Sequence, residues 1–301
     1  MNHQEQSRLI EDPSDIVQSF PKYEINILCC RYWWIENWEF QDLSFPFWRI
    51  YHNKLEGATI TYNGEDIPIM PNSLVLIAPY TSYSTRLYNH SVPQGGYALL
   101  GGRVGSEEDA KNHRMLHCFI HFNVSNPYCY SQQGVFVIPL SAELKQHVEQ
   151  VKNYLMQQAS DFDFATTISI NAIITQLLST LPNSQWQTIG HDPRIRNAIR
   201  YIDKNIGANL DNPVLAGKVN MATNSFIRLF TKDIGQAPQQ YIKFKRIEKA
   251  CILFHHSNHS IEEIASLCGF ADRYHFSRIF KQMKQVSPAR YKKNLELRVE
   301  S

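Results

Sequence analysis

The sequence predicts two domains of different class. Residues 1–182 read as an all-β barrel or sandwich with two appended helices, and residues 193–301 as an all-α domain with two helix-turn-helix units. A polar linker at 183–192 joins them. Three observations carry this reading. The hydrophobic period changes from strand-like to helical near residue 141. The charge is divided: Pro193 to Ser301 holds 19 Lys and Arg against 9 Asp and Glu, so the net +2 of the chain splits into +10 there and −8 before it. The last third contains an internal repeat at an offset of 50 residues.

Composition narrows the class further. A chain of 301 residues, 43% apolar and 19% charged, can bury two cores. No apolar run approaches the ~18 residues that a membrane helix needs. Met1-Asn2-His3-Gln4-Glu5-Gln6 lacks the basic start and apolar stretch of a signal peptide. The expectation is a cytoplasmic protein with no membrane partner. Cys29, Cys30, Cys118, Cys129, Cys251 and Cys268 contain no Cys-x-x-Cys pair. They read as reduced packing residues, and neither a metal site nor a cofactor is expected. The basic C-terminal part, set against an acidic N-terminal part, is the one suited to a polyanion.

The elements follow in order. Residues 1 to about 20 are polar and acidic and read as a flexible arm. From Tyr23 to Leu140, short β-rich runs alternate with turn residues. Thr59 to Asn63 leads into Gly64, and Leu74 to Ile77 lies between Pro71-Asn72 and Pro79. His117 to Val124 and Val135 to Ile138 are further runs of this kind. Leu144, Val148, Val151 and Leu155 then fall on one helical stripe, as do Ile170, Ile173, Ile174, Leu177, Leu178 and Leu181.

The repeat pairs Phe226-x-Arg228-x-Phe230 with Phe276-x-Arg278-x-Phe280, Pro238 with Pro288 and Tyr241 with Tyr291. Leu215-Ala216 matches Ile264-Ala265 at an offset of 49, so the second unit has one more residue in its turn. In the second unit Ser260 and Glu263 are spaced as a capping box, Gly269 can end that helix in the left-handed conformation, and Asp272 can cap the next. Helix, tight turn, helix is the helix-turn-helix pattern, whose second helix enters the major groove of DNA. Its exposed positions are Arg273, Tyr274, Ser277 and Arg278, with His275 beside them. In the first unit Thr223 reads as the cap, and Asn224, Ile227 and Arg228 take the matching places. Arginine can bond guanine in a bidentate way, asparagine can do so with adenine, and isoleucine can touch a thymine methyl. Each of these residues also fits a solvated helix face, and the arginines fit phosphate contacts or salt bridges.

The stretch from Ser260 to Lys281, ending in Ser287-Pro288-Ala289-Arg290-Tyr291, resembles the signature of AraC/XylS-family regulators. Phe230 to Ile242 and Arg246-Ile247-Glu248-Lys249-Ala250 fit it too, so the likeness covers about residues 193 to 294. Two positions depart from it. Asn220 stands where the first unit usually has glycine, and Gln285 stands where the first unit has Gly235, which predicts a less tight turn. The resemblance implies a long helix, roughly Pro238 to Phe254, joining the two units. It would set the recognition helices about one DNA turn (~34 Å) apart. Lys243, Lys245, Arg246 and Lys281 are candidates for phosphate contacts or solvated faces.

The N-terminal part resembles the cupin-like effector-binding and dimerisation domain of sugar-responsive members of that family, through Gly64 to Pro79 and His117 to Phe122. Trp33, Trp34, Trp38 and Trp48 lie within 16 positions. Trp33, Trp34, Trp48, Arg49, His52 and Tyr62 are the effector-binding candidates, because aromatic faces stack on sugar rings and polar neighbours bond hydroxyls. The same aromatics also suit a barrel core. The chain has no His-x-His pair of the kind a cupin metal site uses, and His117 and His121 read as packing residues.

The resemblance thus implies a homodimeric regulator of transcription, an activator rather than a repressor, that binds double-stranded DNA and a small molecule such as a sugar. The helices around 141–181 would pair two subunits, and RNA polymerase is a further candidate partner. Two rivals stand beside it. One is a cupin-type metalloenzyme fused to a DNA-binding domain. The other is a ligand-free regulator whose N-terminal domain only dimerises.

Overall fold

The computed structural model describes residues 23–88, 90, 97–102, 115–125, 131–157, 161–186 and 192–296. The N-terminal arm, Cys129 and half of the expected linker (187–191) lie outside these residues. Among the described residues, nine strands form one antiparallel sheet curled into an open half-barrel. They are β1 (Ile25–Leu43), β2 (Trp48–Asn53), β3 (Ala58–Tyr62), β4 (Glu65–Ile69), β5 (Ser73–Ile77), β6 (Tyr83–Leu87), β7 (Tyr97–Gly102), β8 (Met115–Val124) and β9 (Val135–Pro139). The order is β4-β3-β6-β1-β8-β2-β5-β9, and β7 also pairs with β1.

β1 runs for 19 residues, and the sheet curls around it. Its first part pairs with β8 and its later part with β7 and β6. The register breaks between Ile27 and Cys29, between Ile35 and Asn37, and between Phe40 and Leu43. Such breaks bend a strand and increase its twist, which lets one strand serve both halves of a curved sheet.

Both faces of the sheet are covered. One face lines the interior of the half-barrel with Ile35, Trp38, Tyr51, Ile60, Val75 and Tyr83. The other, through Trp48, Ile50, Leu76, Ile120 and Phe122, packs on two helices. These are α1 (Ala142–Met156) and α2 (Phe164–Ser179). β2 is consequently buried at all six positions. Ser141 caps α1 by accepting from the Leu144 N–H, and Asp163 caps α2 by accepting from the Thr166 N–H. The chain after α2 stays docked to the sheet: Trp186 bridges to Ser131, and its ring centroid lies 5.8 Å from that of Trp48.

The C-terminal domain is helical: α3 (Pro193–Lys204), α4 (Asn212–Lys218), α5 (Thr223–Ile234), α6 (Pro238–His256), α7 (Ile261–Leu267), α8 (Arg273–Lys284) and α9 (Pro288–Glu296). Two cores lie side by side. Phe226 and Phe230 of α5 pack with Leu215 and Tyr241, while Phe276 and Phe280 of α8 pack with Ile264 and Phe254. α6 contributes to both cores, so the repeat visible in the sequence is a repeat of hydrophobic cores sharing one helix.

Two local expectations are corrected. Thr223 is not the cap of α5: Ala222 holds that place, without a side-chain hydrogen bond, and Thr223 is the first helical residue. Gln285 does not loosen its turn, because it adopts φ 61° where Gly235 adopts φ 81°, in the same left-handed region. Asn220 takes φ 53°, the left-handed geometry that asparagine is expected to tolerate in place of glycine. The expected caps of the second unit are present: Ser260 and Glu263 form a complete capping box, and Asp272 accepts from the His275 N–H at 2.7 Å.

Candidate functional site

The recognition helix of each unit is fixed from behind by its aromatic pair, and this leaves its other side outward. On α8, Arg273, Tyr274 and Arg278 are exposed, while His275 and Ser277 are half-buried. Tyr274 is 88% exposed, and a large ring left in water on a helix anchored by Phe276 and Phe280 has no role in the core. On α5, Asn224 and Arg228 are exposed, and Thr223 and Ile227 are half-buried. Ile227 leans on the first core, which leaves less of it for a base than Asn224 or Arg228 offers. Among the described residues, Arg228, Arg273 and Arg278 form no ion pair within the chain.

The residues proposed for phosphate contact divide. Lys243 and Lys281 are exposed. Lys245 pairs with Glu248 at 2.6 Å and is largely covered. Arg246 is turned inward: its Nε donates to the Ile206 carbonyl at 3.1 Å, and its Nη2 donates to the Ala208 carbonyl at 2.8 Å. Its guanidinium also lies 5.9 Å from the centre of the Phe270 ring. Arg246 therefore ties the loop after α3, in the first unit, to the turn after α7, in the second. Lys249 adds a bond to the Leu267 carbonyl at 2.8 Å, satisfying one of the open acceptors at the end of α7. Sequence reasoning missed this bracket because a basic residue on a helix reads as solvated or DNA-bound.

A helix-turn-helix domain profile matches residues 215–294, the span that holds both units. This span is a helix-turn-helix domain, similar to that of AraC-type regulators. The HTH-type transcriptional activator RhaS of Escherichia coli O9:H4 (strain HS) is 28% identical over 145 residues, 48% of this chain and 52% of RhaS. The chain thus spans about half the length of the curated relatives it matches. Among solved structures, the DNA-binding domain of AdpA in complex with a target DNA is 25% identical, with a TM-score of 0.35, over 36% of this chain and 96% of that one. ToxT from Vibrio cholerae O395 is 13% identical, with a TM-score of 0.46, over 93% of this chain and 99% of that one. The relatives that match the chain are transcription regulators, not enzymes.

The six effector candidates do not share one face. Trp34 packs with Leu116, Cys118 and Leu155, and Trp48 packs on the α1–α2 side. His52 is buried, and its Nε2 lies 3.1 Å from the Pro71 carbonyl. Tyr62 ends β3, half-exposed, at the hairpin to β4. Trp33 and Arg49 belong to the opposite, interior face. Trp33 meets Phe119 edge to face at 5.8 Å.

Arg49 is buried, and its Nη1 donates to both Tyr51 Oη and Tyr83 Oη at 2.8 Å. Its guanidinium lies 3.5 Å from the centre of the Phe45 ring. Burial works against its charge, but the Tyr51 and Tyr83 oxygens outweigh this and raise its pKa. Its Nε has no partner, and among the described residues no carboxylate pairs with it. Near it, His117 Nδ1 lies 2.7 Å from Asn53 Oδ1, and burial holds the His117 pKa down to about 3, so the ring is neutral. Tyr51, Tyr83, Asn53 and His117 thus join Arg49 in a polar cluster that the sequence alone did not bring together. The signal was present as polar residues on alternate positions of β2, β6 and β8.

The half-barrel and the DNA-binding domain meet along α6. Phe45 lies 4.6 Å from His255 and Phe47 lies 5.1 Å from His256, centroid to centroid. Ile252 packs against the interior cluster. A cleft of about 870 Å³ opens beside this contact, with Trp48 and Tyr80 on the sheet side and Arg200, Lys204 and Lys249 on the helical side. The described residues include no helix long and apolar enough to cross a membrane.

Proposed function

We propose that the chain regulates transcription as a homodimer, reading DNA with α5 and α8 and responding to a small molecule held by the half-barrel. The DNA-binding half of this reading rests on the exposed, unpaired Arg228, Arg273 and Arg278, beside Asn224 and Tyr274, on helices anchored from behind. The two exposed faces differ, so one subunit reads an asymmetric site. Any symmetry in the operator comes from the dimer.

The effector half rests on Arg49. A buried cation without a carboxylate is costly, and a ligand that brings oxygen acceptors relieves that cost. The suitable class is a small molecule rich in hydroxyl or carboxylate oxygens, such as a sugar or sugar acid, at Arg49, Tyr51 and Tyr83. Its binding shifts the arrangement of the half-barrel against α6, and so the half-sites that the dimer spans. Activation, with RNA polymerase as partner, is the sign we favour, as the name of the matched activator RhaS suggests.

The dimer reading rests on α2, where Phe164 is 81% and Ile168 is 50% exposed, one turn apart on the same face. Phe164→Glu with Ile168→Glu is expected to give a monomer in sedimentation. A dimer that persists removes α2 from the interface.

The test of the whole reading is a mobility shift with promoter DNA, combined with a thermal-shift screen of sugars and sugar acids. Sequence preference that is lost in Arg278→Ala with Asn224→Ala supports base reading, and preference that survives rejects it. A ligand selective for the folded chain raises its apparent stability. Stabilisation that disappears in Arg49→Met supports the effector site. No stabilisation by any compound favours a half-barrel that only dimerises.

A further inference from the structure

We infer that Cys29, His121 and His256 form a binding site for one soft metal cation, joining the half-barrel to the central helix α6. The three residues come from β1, β8 and the last turn of α6. One potential ligand atom from each lies within 4.8 Å of the other two. Cys29 and His121 are direct cross-strand partners, so both side chains leave the same face of the sheet. His256 reaches them from the other domain, with its ring centroid 5.3 Å from that of His121.

A second observation is independent of this proximity. His121 is 8% exposed, yet its Nδ1 has no hydrogen-bond partner, and the buried His256 Nε2 has none either. Buried ring nitrogens are normally satisfied, because leaving one without a partner costs about 1–3 kcal/mol. Two imidazoles that each carry such a nitrogen, set beside one thiol, make a group of donors that a metal satisfies together.

The donor chemistry selects the metal class. One thiolate and two imidazoles suit Zn²⁺ or Cu⁺, not Mg²⁺ or Ca²⁺, which take oxygen ligands. Zinc bonds of about 2.3 Å to sulfur and 2.0–2.1 Å to nitrogen set ligands about 3.3–3.7 Å apart, so the site closes by about 1 Å of side-chain movement. Binding forms one metal–sulfur and two metal–nitrogen bonds, and the Cys29 thiol releases its proton to solvent. Charge then distinguishes the two ions. Arg49, the cross-strand neighbour of His121, stands close by without a carboxylate. With Cu⁺ the thiolate complex is neutral, whereas with Zn²⁺ it keeps one positive charge beside Arg49. Cu⁺ is therefore expected to bind more tightly. Either ion would clamp α6, and with it both helix-turn-helix units, to the half-barrel.

The experiment uses the full chain, stripped of metal and kept reduced. It is titrated separately with Cu⁺ and Zn²⁺ in competition with a coloured chelator, and with Co²⁺ to read the thiolate-to-metal charge-transfer band. The expected result is one ion per chain, with affinity lowered tenfold or more in both Cys29→Ser and His256→Ala. Cys118→Ala, a cysteine on the opposite face, is expected to bind as the wild type does. Circular dichroism confirms that each variant is folded. Absence of stoichiometric binding, or equal binding by the wild type and Cys29→Ser, overturns the site. Tighter binding of Zn²⁺ than of Cu⁺ overturns the charge argument.

Discussion

Gly269 and Arg246 are in contact between the two helix-turn-helix units: a Cβ on residue 269 would stand 2.7 Å from Arg246 Nη2 and 2.9 Å from the Gly207 carbonyl. Gly269 also holds φ 76°, a conformation that L side chains rarely adopt. Gly207 is similarly confined, since a Cβ there would stand 2.8 Å from the Leu267 carbonyl. The two units are thus locked by a close approach of backbones, with the Arg246 guanidinium filling the seam.

Gly269→Ala is therefore expected to destabilise the DNA-binding domain by about 2 kcal/mol, combining the left-handed cost with the displacement of Arg246. Urea unfolding of the full chain measures it. A change below about 0.5 kcal/mol would mean that the seam yields at little cost.

Salt dependence separates the inward arginine from the outward lysine. Each phosphate contact contributes a slope of about −0.9 to log affinity against log salt concentration. Lys281→Ala, at an exposed position, is expected to reduce the slope by about that amount. Arg246→Ala is expected to weaken binding with the slope unchanged, because its charge is spent on the Ile206 and Ala208 carbonyls. An equal fall in slope for both variants would return Arg246 to the DNA backbone.

Much of this architecture was legible in the sequence, for physical reasons that differ by region. The DNA-binding domain was readable because each helix is half-exposed, so its apolar stripe, caps and turn residues stand out against polar positions, as at Ser260, Gly269 and Asp272. The half-barrel was legible as a class only. Both faces of β2 and β8 are covered, so the alternation that would separate inside from outside vanishes, and Trp34 and Trp48 could not be told from Trp33. The polar cluster around Arg49 depends on which of two faces a side chain takes. A register break of the kind found between Ile27 and Cys29 changes that face without any mark in the composition. Cys29, His121 and His256 come from distant segments, and no spacing rule joins them.

Gln285 gives a prediction of opposite sign to Gly269. It adopts the left-handed conformation with an ordinary side chain, where the matching Gly235 has open space around its Cβ position. Gln285→Gly removes the backbone strain and gives up one local bond, from Gln285 Nε2 to the Gln282 carbonyl. The expected result is a gain of about 0.5–1 kcal/mol, read as a higher urea midpoint. A loss of stability would show that the side-chain bond outweighs the strain.

His117 contributes to the response of the half-barrel to acid. Its folded pKa is about 3 because burial disfavours the charged ring, with His52 and Arg49 adding repulsion. The unfolded chain returns it to about 6.5. Between these values the unfolded state binds the extra proton. The stability due to neutral His117 is therefore whole above about pH 6.5 and is lost as the pH falls toward 3. The slope approaches about 1.4 kcal/mol per pH unit, or about 2 kcal/mol between pH 6.5 and 5. His117→Gln keeps an amide able to bond Asn53 and removes the titration. Metal-free wild type is expected to lose about 2 kcal/mol more than His117→Gln over that interval, in urea unfolding at fixed ionic strength. Parallel losses in the two proteins would place the acid response in the other imidazoles that burial depresses, His52, His121 and His256.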